Sequence, residues 1–297
     1  LSSYDPGRWR TGFFAGRAAL TFPILSRALI ATAWSIAVHW MMKHGFVRSF
    51  GSLGHTLIGV PFALLLVFRT NTSYDRFWEG RRLWGAIVEE TRHLARHAAV
   101  DLPPALRDEF RVILSVFAHA LMHSLRGNRA LGPHAAALPA DLLHQIDGAA
   151  HVPTAAMTHA SALFRHGIGT DARATAILAS FEDSCRSLLL CAGGCNRIRS
   201  TPVPFPYTVH LRRALVVYAA TVPFAFASEF GWLCVPATLI VTFILFGIEE
   251  LGVNSEDPFG FDPGDLPLEA YCQAIDATLF DKSLDAIAAR KLDPAGS

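Results

Sequence analysis

"VPFALLLVFRTNTSYDRFWEGRRLWG", Val60 to Gly85, decides how this chain is to be read. It opens as apolar as a membrane helix, and at Arg69 it turns into a charged segment studded with aromatics. No loop long enough to separate a pair of domains lies between its halves. What kind of protein passes from apolar to basic-and-aromatic with so little interruption?

Composition narrows the answer. The chain has 297 residues, 52% hydrophobic and 17% charged, with a mean hydropathy of +0.32. A soluble domain carries about 25% charged residues, so the deficit points to a membrane protein. The net charge of +1 leaves no global nucleic-acid footprint. Five cysteines, an odd number without regular spacing, do not make a disulfide framework. Cys191 and Cys195, four apart, read as packed thiols before they read as metal ligands. Residues 1–17 are polar and basic, with no apolar stretch leading to a cleavage site, and are expected to be a cytosolic N-terminal segment.

A membrane helix needs roughly 20 mostly apolar residues. Ala18 to Met42 is apolar apart from Arg27 and His39, and Gly51 to Phe68 carries one His and no formal charge. Residues 18–68 are therefore expected to hold transmembrane helices 1 and 2. Ala214 to Ile248 contains a single charge, Glu229, and is too long for one span. Residues 214–248 are expected to hold helices 3 and 4, hinged near Ser228 to Trp232. Arginines at 8, 10 and 17, at 69, 76, 81 and 82, and at 212 and 213 flank the spans. With four spans these clusters fall on one side, which places both termini in the cytoplasm.

Residues 69–213 are expected to be a cytosolic helical region, and 249–297 a cytosolic C-terminal segment. "RRLWGAIVEETRHLARHAA" has helical periodicity, with Glu79–Arg82 and Glu89–Arg92 as supporting pairs. Leu102 to Pro104 breaks it. "RDEFRVILSVFAHALMHSLRG", with only 11 apolar residues and two His, reads as a buried helix rather than a span. Residues 128–154 read as looser connections with a short helix at 139–147. "DARATAILASFEDSCRSLLLCAGGCNRI" reads as a helix ending near Gly193-Gly194. "TPVPFPYTVHLRR" reads as a rigid proline connector. Turns after Asn254 lead to a helix from about Leu268 to Arg290.

Three constellations offer chemistry. Val60, Leu64 and Phe68 share one helix face, either packing against a neighbour or lining a pore that gates by dewetting. His93 with His97, and His119 with His123, are spaced as in di-metal oxidases. A zinc peptidase would need a Glu after the first His, and neither pair has one. Asp257, Asp262 and Asp265 lie in a Pro/Gly-rich turn of the sort that gives oxygen ligands to calcium, or that simply caps a helix.

"VPFALLLVFRTNTSYDRFWEGRRLWG", "NRIRSTPVPFPYTVHLRR" and "DPFGFDPGDLPLE", in this order along nearly the whole chain, resemble the bestrophin family of ion channels in its bacterial branch. The resemblance implies an all-α membrane protein, with four transmembrane helices per subunit and a cytosolic helical body, assembled as a pentamer around a central pore. The second span would line a narrow neck and continue, as nearly one helix, into the cytosolic wall. The neck rings fall on Val60, Leu64 and Phe68, and the cytosolic aperture on Leu178. Animal members favour Phe in the neck, whereas two of the three residues here are aliphatic. Their acidic calcium run is interrupted here by Phe261, Pro263 and Gly264.

The reading is a homopentameric ion channel of the bacterial inner membrane, passing small monovalent ions. Its partners are its own copies, the lipid bilayer and the permeant ions, with no nucleic acid. It needs no cofactor, and calcium at Asp257, Asp262 and Asp265 is the single candidate ion. Glu182 and Asp183, after the aperture, would favour cations over chloride as a ring of carboxylates, unless Arg186 mutes Glu182. The alternatives are a chloride or anion channel of the same fold and, in a different class, a His-rich membrane metal-dependent enzyme.

Overall fold

The computed structural model describes residues 18–49, 51–170, 172–262 and 264–290. The expected segment 1–17 lies outside the described residues. In chain order the helices are α1 (Ala18–Lys43), α2 (Ser52–Asp101), α3 (Pro104–Leu125), α4 (Ala140–Gly148), α5 (Val152–Ile168), α6 (Ala172–Ser200), α7 (Phe205–Phe230), α8 (Cys234–Asn254), α9 (Leu268–Leu279) and α10 (Ser283–Arg290). Short 3-10 turns occupy Ala135–Ala137 and Gly231–Leu233, and no strand occurs among the described residues. The apolar-to-charged passage that opened the sequence reading lies inside the single unbroken helix α2.

The chain forms two compact units. One takes residues up to Asp75 and Val203–Glu256; the other takes Arg76–Pro202 and the residues from Asp257 on. Among the described residues, three stretches are long and apolar enough to cross a membrane: Phe22–Lys43, Ser52–Asp101 and Phe205–Asn254. The third folds back on itself. Arg212, early in α7, bonds Glu249, late in α8, at 2.8 Å; one straight helix would hold these residues about 55 Å apart. The reversal is made at Gly231, whose φ of +53° suits a residue without a Cβ. In the first unit α1 packs on both α7 and α8, and α2 lays Phe62 and Leu66 against Leu211, Leu215, Ala219 and Phe246.

The second unit is built around α3, which is buried along most of its length between neighbouring helices of the same unit. That settles its expected character as a core helix. Phe164 of α5 and Phe181 of α6 stack with ring centroids 3.8 Å apart, and Phe110 of α3 packs against both. Gly127, at φ +79°, lies just beyond the end of α3. Arg76 donates to the Ile198 and Thr201 carbonyls at the C-terminus of α6, at 2.6 and 2.5 Å, and its charge suits the negative end of the helix dipole.

Several local expectations are corrected. α6 does not end near Gly193-Gly194 but runs on to Ser200; a Cβ at Gly194 would stand 2.9 Å from Leu83, so this glycine serves close helix packing. α5 was missed, although Ala156, Ala160 and Phe164 are buried at a spacing of four and Pro153 sits in its first turn. The proline connector is shorter than read: α7 already begins at Phe205, with Pro206 in the first turn, where no N–H is needed. The C-terminal helix is two helices, and the Asp281 carboxylate accepts from the Ser283 N–H at the break. Neither same-helix pair forms on α2. Glu79 reaches Arg197 of α6 instead, because packing between helices overrides the modest gain of an i,i+3 pair.

Candidate functional site

α2 has two opposite faces in the first unit. Residues two apart on a helix are turned by about 200°, so Phe62 and Leu66 face away from Val60 and Leu64. Phe62 and Leu66 are buried, whereas Val60, Leu64 and Phe68 are 68, 53 and 55% exposed. Leu53 and Leu57 continue the open stripe towards the start of the helix. The chain alone therefore leaves an apolar ridge several turns long that no described residue covers.

One residue beyond Phe68 the helix changes character. Arg69 is 1% exposed, with its guanidinium 3.6 Å from Glu249 and 3.8 Å from Glu256. Glu249, on α8, also accepts from Arg212 Nε at 2.8 Å and from Arg27 Nη1 at 3.4 Å. Arg27 reaches Glu250 as well, at 2.9 Å. One buried carboxylate thus gathers arginines from α1, α2 and α7, tying these three helices to α8 at a single point. An isolated buried carboxylate costs several kcal/mol; here three guanidinium groups offset that cost. The sequence reading took Arg69 as one of a flanking basic cluster and missed this centre. The available signal was a set of ionisable residues in or beside otherwise apolar helices, which calls for partners.

On α6, Leu178 is half-buried against the core of the second unit. Glu182 sits 3.5 Å from Arg165 of α5 and 3.4 Å from the Ser161 hydroxyl. Asp183, not Glu182, pairs with Arg186, at 2.6 Å. The expected partner was off by one residue, and both carboxylates carry an arginine.

The histidines that share helix faces do not share ligand geometry. His93 Nδ1 lies 2.8 Å from the Ser184 hydroxyl, and His97 Nδ1 lies 2.7 Å from Asp101. Burial holds the His97 imidazole below its usual range despite Asp101. His119 Nε2 lies 2.9 Å from Asp276. Burial pushes the Asp276 carboxyl upward, but hydrogen bonds with His119 and Ser115 prevail and keep it low. In the acidic turn, Asp257 accepts from the Phe259 N–H at 3.2 Å and Asp265 from the Asp262 N–H at 2.7 Å. Burial, with Asp262 and Asp257 nearby, pushes Asp265 up to about 6. Among the described residues, no three His, Cys, Asp or Glu side chains form a group placed to hold a metal. Cys191 and Cys195 are free and buried; burial pushes the Cys195 thiol up to about 12, which makes it a poor ligand or nucleophile.

Comparison with known proteins gives a consistent set of relatives. A family model described as Bacterial/Fungal Bestrophin protein matches residues 2–281. The voltage-dependent anion channel-forming protein sll1024 of Synechocystis is 32% identical over 94% of this chain and 93% of its own length. Protein alr2987 of Nostoc, of the same description, is 31% identical over 92% and 91%. YneE of Escherichia coli K12, also so described, is 28% identical over 96% and 95%. Among solved structures, a bacterial bestrophin homolog from Klebsiella pneumoniae superposes with a TM-score of 0.76 at 25% identity, covering 89% of this chain and 98% of that one.

Proposed function

We propose that this chain, which belongs to the bacterial and fungal bestrophin family, forms a passive ion channel in the bacterial inner membrane, built as a ring of identical subunits around one pore. The observation that carries this reading is the open stripe of Val60, Leu64 and Phe68, apolar and more than half exposed on the side of α2 opposite its packed face. Cyclic symmetry turns such a ridge into a closed sleeve. The ring number of five comes from the family resemblance. The spans are α1, the apolar part of α2, α7 and α8, with both termini cytoplasmic. Leu178 forms the cytosolic aperture. The histidines are structural, and no cofactor takes part. Calcium would be sought at Asp257, Asp262 and Asp265, two of whose carboxylates are engaged by backbone N–H groups of their own turn.

The permeant ions are small and monovalent. Glu182 and Asp183 were the grounds for cation preference, and both are paired with arginine. Curated relatives are named as anion channel formers. Together these favour anions, with weak charge discrimination, over the cation reading. Recording purified protein in a bilayer with asymmetric KCl tests both levels. A reversal potential towards the chloride equilibrium supports anions, and one towards potassium restores cations. A protein that gives no flux, and whose mass in mild detergent is that of a monomer, overturns the channel itself.

A further inference from the structure

A groove runs between α1, α7 and α8 in the first unit, as two adjoining cavities of about 360 and 270 Å³ that share Arg27, Val216 and Phe246. Its walls are Ile30, Ala31, Val216, Ala219, Ala220 and Phe246. Three alanines keep it open where larger side chains would fill it. Trp34 closes one end, its indole N–H donating to the Ala220 carbonyl at 2.9 Å. Arg27 and Arg212 stand at the other end. Trp34 lies seven positions after Arg27 along α1, a rise of about 10 Å, most of one leaflet's hydrocarbon depth of about 15 Å.

The arginines at the mouth are only partly used. Their side chains are 44 and 53% exposed, over a Glu249 that is 3% exposed and shared with Arg69. Arg212 commits only Nε to Glu249, and Arg27 only Nη1 to Glu249 and Glu250. Both terminal nitrogens of Arg212 and Nη2 of Arg27 have no hydrogen-bond partner among the described residues. Arg213, next in sequence, adds a further exposed cation. Guanidinium groups with free N–H forks, at the polar end of an apolar trough in a membrane helix bundle, match a phosphate carrying an acyl chain.

We propose that this groove binds an anionic phospholipid, with its phosphate on Arg27 and Arg212 and one acyl chain along Ala31, Ala219 and Ala220 towards Trp34. The site requires only that the helices lie in a bilayer, and it stands whether or not α2 lines a pore. A zwitterionic lipid presents the same phosphate, but its own cation opposes the arginines, so the preference is for net negative charge.

The test uses the full chain in mild detergent, stripped of lipid and offered phosphatidylglycerol or phosphatidylcholine, with retained lipid and assembly mass read by native mass spectrometry. Phosphatidylglycerol should be held about tenfold more tightly. Arg212→Lys keeps the charge but loses the fork to the phosphate that both lipids share, and should lower retention of both while leaving the preference between them in place. Ala220→Trp leaves both arginines untouched and fills the trough, and should lower retention of either lipid at unchanged assembly mass. Equal retention of the two lipids by the unaltered protein overturns the proposal, as does undiminished retention by Ala220→Trp. Full displacement of lipid by soluble glycerol phosphate shows a headgroup site without a chain and also overturns it. Ala220→Trp splitting the assembly gives the groove to a second copy of the chain, with the same consequence.

Discussion

Arg69 and Glu249 face each other at 3.6 Å, the first 1% and the second 3% exposed. They lie on different helices, and Arg69 directly follows Phe68, the last residue of the open stripe. The pair sits too far apart for a close hydrogen bond. Arg69 is held by charge, between Glu249 and Glu256, and by packing over Gly252. Whatever moves α8 relative to α2 at this point must also move Phe68.

Glu249→Gln keeps the volume and removes the charge. Arg69 would remain buried with Glu256 as its single remaining carboxylate, and the hold on Arg27 and Arg212 would weaken. Breaking a buried pair from one side costs about 3–5 kcal/mol. We expect a clear fall in the thermal unfolding midpoint in detergent, and a larger one than for Glu250→Gln, whose partner Arg27 is 44% exposed. Equal falls for the two variants would show that the buried cluster is not what holds the four helices together.

The carboxylates after the aperture should matter less than their sequence position suggests. Glu182→Gln is expected to change the cation-to-anion permeability ratio by less than about twofold, since an exposed arginine partner already screens that charge. Arg165→Gln frees Glu182 and should shift the ratio towards cations by about twofold or more. Reversal potentials in asymmetric KCl read both. A large shift with Glu182→Gln alone would return this residue to the selectivity filter.

Periodicity and composition carried much of the fold. The continuation of the run from Val60 to Gly85 as nearly one helix came from the family resemblance, whereas the length of Ala214 to Ile248 announced a hairpin, because that follows from local chemistry and bilayer thickness. Gly193-Gly194 misled, because a glycine pair reads as a stop whether it ends a helix or lets Leu83 approach one. α5 was passed over because alanine and proline make up half of its buried face and resemble the Ala/Pro/Gly-rich connection that precedes it. The stripe at Val60, Leu64 and Phe68 was legible, since a helix repeat places it on one side. The cluster around Glu249 was not, because no local pattern records which of many arginines meets a given glutamate. Glu182 and Asp183 show the same limit on a smaller scale: Arg186 lies within reach of both, and only the packed structure shows that it takes Asp183 while Arg165 of α5 comes to Glu182.

Asp265 gives a pH dependence with a definite sign. Its folded value of about 6 lies above the ordinary value of 3.8, so between those values the folded chain holds a proton that the unfolded chain has released. Stability from this group therefore rises as pH falls from about 6 towards about 4, and is lost as pH rises through about 6. Asp265→Asn should flatten that region of the pH–stability profile and still accept the Asp262 N–H. The same turn should respond little to calcium: millimolar calcium at pH 7 is expected to leave the unfolding midpoint in place. A rise that Asp265→Asn abolishes would establish a cation site there.

The neck can be tested at its middle ring. Val60, Leu64 and Phe68 are one turn apart, each rising about 6 Å, so three rings would form an apolar sleeve roughly 12 Å long. Such a sleeve offers an ion no oxygen to replace its water, and acts as a barrier rather than a binding site. Shortening its middle should widen and wet it. Leu64→Ala is therefore expected to raise conductance or open probability with little change in which ion is preferred. Burial separates this position from its neighbours: Leu64 is 53% exposed, while Leu66, two residues on, is 2% exposed against α7. A core Leu→Ala costs about 2–5 kcal/mol because it leaves a closed cavity. Leu66→Ala should show that loss with little effect on conductance, and Leu64→Ala should show the reverse. Single-channel recording of both variants beside their thermal unfolding distinguishes a lumen-facing ring from a packing contact. Normal currents from a destabilised Leu64→Ala protein would remove this residue from the pore.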